Sequence, residues 1–222
     1  GLSSFSVQAV EQPTGSGNWV EVQQRLLRAD SPEARLLGGQ ALKPEESTSF
    51  SLGLGWRPRE NASVTVDAYR IEIDNRITLS DQLTAATVAP VFAGTQYSNI
   101  QSAAFYTNVA DTRTNGIEVT GNYRLNLNEF GKLNLNAGFS QNDTKITGLR
   151  DVGGISGSQI VGRNTQGLIE EGTPENKFTL GANWIYGNWG VNVAQRRYGE
   201  WKNRNATNPA LDQAFSPQWV TD

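Results

Sequence analysis

The residue types that most often carry chemistry in proteins are scarce in this chain. It contains no His and no Cys, which excludes histidine-dependent nucleophilic triads, thiolate nucleophiles and imidazole or thiolate metal ligands. Two adjacent carboxylate pairs, Glu45-Glu46 and Glu170-Glu171, could in principle supply an acid and a base. Neighbouring side chains on a strand point to opposite faces, however, and no pocket signature accompanies either pair. We therefore expect no catalytic residues and a protein that is not an enzyme.

Phosphate and calcium sites are equally weakly indicated. The stretch "GGISGSQIVG" at residues 153–162 is glycine-rich but lacks the Gly-Lys-Ser/Thr ending of a phosphate-binding loop, so it is interpreted as a mobile loop. Asp74, Asn75 and Asp111 offer calcium-binding oxygens without the ordered spacing of a dedicated loop, and solvated turn residues are the preferred interpretation. The sequence predicts no metal site and no cofactor.

Composition narrows the class of protein further. The net charge is −3 with a pI near 5.2, which gives no basic footprint for nucleic acid, so no nucleic-acid partner is expected. No apolar run reaches the roughly 20 residues of a transmembrane helix. Strands of a membrane barrel, by contrast, span with about 10 alternating residues and leave a weaker hydropathy signal.

Alternation with a period of two is the main structural signal. In "STSFSLGLGWRP", residues 47–58, large apolar residues occupy one face and Ser or Gly the other, as in a strand whose two faces meet different environments. A soluble sandwich and an outer-membrane barrel both produce this pattern. The same alternation predicts further strands, which we place within residues 62–73, 113–127, 133–143, 177–186 and 189–201, with shorter candidates in "SSFSVQAV" and "SPQWVTD".

Within these strands the apolar phase changes once. Val64, Val66 and Ala68 share one face, whereas Tyr69 and Ile71 continue on the other. A β-bulge or emergence of the strand from the apolar layer would explain the change.

The connections alternate in length, and this favours the barrel. The turns after residues 57, 127 and 186 are tight, with Pro58 expected in the first of them, whereas long loops are predicted over residues 11–45, 74–112, 147–173 and 201–215. Outer-membrane barrels have short periplasmic turns and long extracellular loops. In the first long loop, Ser31 and Pro32 predict the start of a short helix that ends at Gly38 or Gly39.

Aromatic and charged residues fit the same orientation. Trp56, Tyr186 and Trp189 flank tight turns, while Tyr198 and Trp201 lie at the opposite strand ends, as in the aromatic girdles of a barrel. The polar faces carry charges that would line a lumen or simply be solvated: Glu118, Arg124, Lys177 and Arg196. Loop residues that could touch a ligand, or pack among themselves, are Tyr97, Phe105, Tyr106, Trp201 and Asn203; no ligand-binding site is assigned.

Three blocks of sequence resemble the barrel region of TonB-dependent outer-membrane receptors. The first is residues 37–80, where a Leu-Lys-Pro-Glu segment leads into a strand, a turn and "DAYRIEIDNRI". The others are "FYTNVADTRTNGIEVTGNYRL" at 105–125 and "TPENKFTLGANWIYGNWGVNVAQRRYGEW" at 173–201. They occur in the family's order and cover most of the chain from about residue 30. The resemblance implies an all-β fold, an antiparallel up-and-down transmembrane barrel segment of about eight strands in a larger barrel of 22.

Two departures define how much of the family pattern is present. The N-terminal plug and energy-coupling box are missing, and the chain ends in "WVTD" instead of a terminal aromatic strand. Residues 1–222 are therefore expected to be a partial barrel domain, with open edges that could not form a pore alone.

The resemblance also implies a function and partners. The location would be the outer membrane of a Gram-negative bacterium, in contact with its lipid, and the whole receptor would import a siderophore, cobalamin or glycan actively. The nutrient would bind the extracellular loops, a plug of the same parent chain would fill the barrel, and the TonB complex would supply energy through the missing N-terminal part. Alternatives are a passive outer-membrane pore or adhesin barrel, and a soluble β-sandwich binding module.

Overall fold

The computed structural model describes residues 4–11, 17 and 19–222, with side chains from residue 23 onward. Its strands are β1 Ser4–Glu11, β2 Trp19–Leu27, β3 Glu46–Arg59, β4 Ala62–Leu79, β5 Ser102–Asn126, β6 Lys132–Leu149, β7 Asn176–Tyr186, β8 Trp189–Tyr198, β9 Trp201–Asn203, β10 Gln213–Phe215 and β11 Gln218–Thr221. The helices are α1 Pro32–Leu36, α2 Ala85–Phe92, α3 Gly157–Ile160 and α4 Arg163–Glu170, with 3-10 turns at Asn128–Phe130 and Pro209–Leu211. None of the helices in the described residues is long and apolar enough to cross a membrane.

Every predicted strand is present, and the all-β prediction is confirmed. The main sheet has nine strands in the order β1-β2-β5-β6-β7-β8-β11, with β4 pairing β5 and β3 pairing β4, while β9 and β10 form a separate two-stranded sheet. The pairing is antiparallel except where residues 24–27 of β2 run parallel to residues 102–105 of β5.

The chain divides into two compact units. Unit 1 comprises Gly1–Glu46, Ile73–Thr112 and Ile146–Gln166, and unit 2 comprises Ser47–Glu72, Arg113–Lys145 and Gly167–Asp222.

Unit 1 contains a buried apolar core. Its largest fully buried side chains come from helices, loops and β5: Leu37, Val88, Phe92, Ile100, Phe105, Val109, Ile160 and Val161. Hydrogen bonds satisfy several polar groups beside them: the Ser102 hydroxyl donates to the Leu83 carbonyl at 3.0 Å, and the Phe105 amide donates to the Ser80 hydroxyl at 3.1 Å. Burial of these side chains is the main source of stability available to this unit.

Helix α1 confirms the predicted start and stop signals. The Ser31 hydroxyl accepts from the Ala34 amide at 3.3 Å, and Pro32 occupies the first helical position. Gly38 follows with a φ of +87°, a conformation that glycine adopts without a Cβ clash. Ala34 and Leu37 are fully buried, so the helix packs into the core of unit 1.

Unit 2 is built from antiparallel strands with two distinct faces. In the β6–β7–β8 register, Leu135 lies opposite Ala182, which lies opposite Val193, and the neighbouring row joins Asn134, Asn183 and Asn192. We call the first side the apolar face and the second the polar face. Apolar-face side chains are exposed, at 70% for each of Phe50, Leu52 and Leu54 and 37% for Leu135, which confirms the predicted faces.

The phase change in β4 comes from the strand leaving the apolar layer. Thr65 bonds Thr120, Tyr69 lies over Gly116, and Glu72 bonds Arg113, so the β4–β5 register continues without interruption to residue 72. Farther along β4, Asn75 has a φ of +55°.

Two sequence expectations need correction here. Pro58 lies within β3, and the turn falls at Glu60 and Asn61. Among the described strands β3 pairs with β4 alone, and an edge strand tolerates a missing donor. The loop predicted over residues 74–112 is shorter, since β4 continues to Leu79 and β5 starts at Ser102. Backbone pairing in such extensions does not require alternating hydropathy, so the sequence pattern misses them.

Candidate functional site

The polar face of unit 2 carries paired hydroxyls and amides as well as charges. Thr114 and Thr144 hydroxyls are 2.8 Å apart across β5 and β6, and the Arg124 guanidinium donates to the Glu60 carbonyl at 3.3 Å. Of the predicted polar-face charges, Lys177 lies 5.1 Å from the ring centre of Tyr198, and Arg196 pairs with Asp222. These groups make the second face polar and charged, chemically opposite to the apolar face.

Aromatic residues flank the tight turns as predicted. Trp56 and Trp189 are 63% and 72% exposed, and the Trp184 indole donates to the Phe130 carbonyl at 2.8 Å. Trp184 also stacks on Tyr186, with ring centres 5.8 Å apart. Amphipathic aromatic rings at one level of a sheet match the interfacial girdle of a membrane barrel.

Asp111 of unit 1 is a structural carboxylate. It accepts two hydrogen bonds from Arg150, at 2.7 and 2.6 Å, and one from the Asn75 amide at 2.9 Å. The interpretation of Asp74, Asn75 and Asp111 as solvated turn residues was wrong, because all three lie in strands. No group of three or more His, Cys, Asp or Glu side chains in the described part of the chain could hold a metal ion.

The glycine-rich stretch at residues 153–162 is also more structured than predicted. Gly153 and Gly154 adopt positive φ angles of +57° and +81°, and helix α3 follows. Ile155, Ile160 and Val161 are buried in unit 1. The loop interpretation missed these contacts because three separated apolar residues carry no periodic signal.

Glu170 and Glu171 lie close together, and both bind the same cation instead of supplying an acid and a base. Glu170 ends helix α4 instead of lying on a strand, and Arg204 donates to Glu170 at 3.0 Å and to Glu171 at 2.9 Å. The Arg204 guanidinium holds the pKa of the Glu171 carboxyl below its usual range, against the opposing effect of burial. We call this group the Arg204 clamp; it ties the end of α4 to the segment after β9.

A polar cleft of about 320 Å³ lies beside the clamp within unit 2, lined by Glu171, Glu175, Asn176, Glu200, Trp201 and Lys202. Trp201 stacks on Phe215 with ring centres 3.8 Å apart. The backbone of Asn203 pairs with Gln213 in the β9–β10 sheet. Of these two predicted ligand-contact candidates, Trp201 lines the cleft, and the backbones of both residues take part in the β9–β10 pairing.

The other three predicted ligand-contact residues differ in how deeply their side chains are buried. Phe105 is fully buried in the unit 1 core and is not available to a ligand. Tyr97 packs against Phe92 at 5.9 Å between ring centres. Tyr106, at 44% exposure, borders a cleft of about 380 Å³ with Leu42 and Arg28. Alternation along β5 puts Tyr106 and Phe105 on opposite sides, which the loop prediction could not anticipate.

An antiparallel sheet with one exposed apolar face, one polar face and tight turns flanked by aromatics is the construction of an outer-membrane β-barrel wall. The family model "TonB dependent receptor-like, beta-barrel" matches residues 9–222. The chain therefore belongs to this family, and its location is the outer membrane of a Gram-negative bacterium. No curated protein sequence matches the chain significantly.

Solved structures share the fold at low sequence identity. The outer membrane transporter YddB from Escherichia coli has a TM-score of 0.57 at 14% identity, over 81% of this chain and 26% of that one. The FrpB iron transporter from Neisseria meningitidis has a TM-score of 0.56 at 9% identity, over 82% of this chain and 24% of that one. The pyoverdine receptor FpvA from Pseudomonas aeruginosa, bound to pyoverdine, has a TM-score of 0.51 at 14% identity, over 83% of this chain and 23% of that one. The chain spans about a quarter of the length of each.

Proposed function

We propose that residues 1–222 form part of the barrel domain of a transporter that binds a scarce nutrient at its extracellular loops and imports it actively. The nutrient classes are a siderophore, a cobalamin or a glycan, and the function is transport, not catalysis. The observation that carries the proposal is the family match over residues 9–222, on a sheet with an exposed apolar face and a polar face. A plug from the same parent chain and the TonB complex are the proposed partners.

The names of the structural neighbours suggest the order in which nutrients are tested. One is described as an iron transporter and another as a receptor bound to pyoverdine. An iron chelate is therefore the first candidate, and cobalamin and glycans follow.

Uptake by a strain lacking the protein, compared with the complemented strain, tests the proposal. Active import predicts saturable uptake of one labelled nutrient that stops when the inner-membrane proton gradient is collapsed. A passive pore predicts uptake that rises linearly with concentration and survives the collapse. An adhesin barrel predicts unchanged uptake and reduced attachment to surfaces.

Two tyrosines of β5 provide a matched test of ligand contact. Tyr106 borders a cleft of unit 1, whereas Tyr123 is exposed on the apolar face of unit 2. We expect Tyr106→Ala to raise the half-saturating nutrient concentration about tenfold, the equivalent of one lost aromatic contact of roughly 1.4 kcal/mol. Tyr123→Ala should leave it unchanged. Equal effects of the two substitutions would exclude Tyr106 as a contact residue.

A further inference from the structure

Residues 40–45 of unit 1, between helix α1 and strand β3, form neither a helix nor a strand. We call this segment the strap. Every strap residue is exposed, and in the part of the chain that the structure describes no backbone–backbone hydrogen bond involves a strap residue. An exposed segment without backbone pairing has low local stability, so the position of the strap depends on its two ends and on contacts made by side chains.

The end of the strap next to α1 is fixed by close packing of backbone on backbone. Leu37 is fully buried, and Gly38 approaches Gly153 so closely that a Cβ on Gly38 would clash with the Gly153 Cα. The Gly39 amide donates to the Ala34 carbonyl at 2.7 Å. The chain therefore enters the strap from a fixed point.

The other end of the strap is held by two side chains. The Asn108 Oδ1 accepts from the Lys43 amide at 2.8 Å, and the Asn108 Nδ2 donates to the Lys43 carbonyl at 3.0 Å. The same Nδ2 donates to the Asn75 carbonyl of β4 at 2.6 Å. Two residues after Lys43, the Glu45 carboxylate accepts from the Ile77 amide at 2.7 Å. With one acceptor and one amide group, the Asn108 side chain thus replaces the peptide group of a neighbouring strand and couples the strap to β4.

The strap is a wall shared by two clefts of unit 1. The first, of about 380 Å³, is the cleft that Tyr106 borders, and Leu42 lines it from the strap. The second, of about 280 Å³, is lined by Lys43 and Asn108 among others, and Ala41 lines both clefts. Tyr106 and Asn108 are two residues apart on β5, so their side chains leave the strand on the same side. The side chain that holds the strap is therefore a neighbour of the tyrosine at the first cleft.

We propose that the Asn108 amide positions the strap as the wall between these clefts and thereby sets the shape of the cleft at Tyr106. Asn108 is a positioning residue, because it acts through the strap and its Leu42 side chain instead of through a contact with the ligand. Loss of its donated hydrogen bonds frees the strap and withdraws Leu42 from the first cleft. The consequence for nutrient binding rests on the proposed function, whereas the positioning of the strap does not.

Hydrogen exchange of the full-length protein in detergent, measured by mass spectrometry at single-residue resolution, tests the positioning directly. The variant is Asn108→Asp, which keeps the Oδ1 acceptor but loses the donor to the Lys43 and Asn75 carbonyls and turns a carboxylate toward those oxygens. The rate is measured at the Ile77 amide, which bonds Glu45 and not Asn108. This amide therefore reports whether the strap has moved, and not merely that one bond of Asn108 is missing.

Two controls separate the strap from the rest of unit 1. Asn99→Asp alters another side-chain amide of the same unit, one that donates to Gln23 at 3.0 Å and has no bond to the strap. The Leu83 amide, which donates to the Ala103 carbonyl at 2.8 Å, reports the stability of unit 1 beside its core.

We expect Asn108→Asp to speed exchange at the Ile77 amide about tenfold, because two hydrogen bonds that hold the strap are lost. Exchange at the Leu83 amide should stay unchanged, and Asn99→Asp should alter neither rate. An unchanged rate at Ile77, or equal acceleration at both amides, would overturn the proposal. If Asn108→Asp does not fold, Asn108→Ala and Asn99→Ala, which introduce no charge, are compared in the same way, and the same two amides decide.

The uptake assay then measures the effect on the cleft. A positioning role predicts that Asn108→Asp raises the half-saturating nutrient concentration about threefold and leaves the maximal rate unchanged. It should add little to Tyr106→Ala, since both substitutions act on one cleft. A lower maximal rate with an unchanged half-saturating concentration would contradict this role. If the unaltered protein imports no labelled nutrient, the proposed function fails, and exchange at Ile77 still decides whether Asn108 positions the strap.

Discussion

The two units of this chain handle apolar side chains in opposite ways. Every buried hydrophobic side chain that the structure describes belongs to unit 1. Of the large hydrophobic side chains that are exposed in the described part of the chain, twenty belong to unit 2 and four to unit 1. Unit 1 is thus built like a water-soluble domain, with a core of its own.

Unit 2 has the surface expected of a protein solvated by lipid. Exposed apolar patches of this size are rare on soluble proteins, but in a bilayer the apolar face meets hydrocarbon. The comparison shows that the two units are adapted to different solvents. Unit 1 buries its apolar side chains away from water, whereas the exposed apolar face of unit 2 is solvated by lipid.

The largest expected effect comes from the core of unit 1. Phe105→Ala removes a fully buried ring and should lower the free energy of unfolding by about 3–5 kcal/mol. Phe50→Ala, at a side chain 70% exposed, should cost far less in detergent because no cavity forms. Denaturant unfolding of the full protein measures both, and similar losses would show that the units do not differ in this respect.

A charge placed on either face of β6 sharpens the comparison within unit 2. Leu135→Arg, on the apolar face, should destabilise the protein in a bilayer by about 2–4 kcal/mol, the range for a cation at the membrane midplane. Asn134→Arg, next to it on the polar face, should cost much less. Unfolding from lipid vesicles by urea provides the measurement, and an equal cost on both faces would contradict the assigned direction of the apolar face.

The Arg204 clamp is a smaller, local source of stability in unit 2. Arg204→Gln should cost about 1–2 kcal/mol, at the low end for hydrogen bonds to charged groups because the partners are partly exposed. Hydrogen exchange at the Lys202 amide, which donates to the Glu171 carbonyl at 2.9 Å, reports the loss. Lys202→Gln serves as the control, since this substitution keeps the backbone bond. Protection of the amide at residue 202 in that variant should stay near its value in the unaltered chain.

The same clamp predicts a pH dependence with a definite sign. The pKa of Glu171 is lowered in the folded protein by the hydrogen bond from Arg204. The contribution of ionised Glu171 to the stability of the folded state is therefore complete above the ordinary glutamate pKa. It is lost progressively as the pH falls below that value toward the lowered one. Protection of the Lys202 amide should follow this loss, and Glu171→Gln should abolish the dependence; an unchanged profile in that variant would assign the titration to another group.

The smallest effect is expected at the helix caps of unit 1. The Ser31 hydroxyl caps α1, whereas Thr84 precedes α2 without a side-chain cap bond. Ser31→Ala should therefore cost about 1 kcal/mol, and Thr84→Ala appreciably less. Thermal unfolding of the two variants gives the comparison, and equal shifts would mean that the Ser31 bond does not stabilise the helix.

Residues 116–126 and 133–140 show what could be read from the sequence. Their alternation predicted both the strands and their faces, because the period of two is a local property of extended backbone. The candidate site was harder to predict. Phe105 seemed to be a loop residue that could touch a ligand, but β5 begins at Ser102 and the core of unit 1 covers its ring.

The sequence alone determined that this chain is a set of antiparallel strands with an apolar and a polar face, long loops on one side and no imidazole or thiolate chemistry. The tertiary structure decided where those strands end and that Glu170 and Glu171 share one guanidinium. The physical reason is range: alternation is local, whereas register, core packing and ion pairs join residues far apart in the chain.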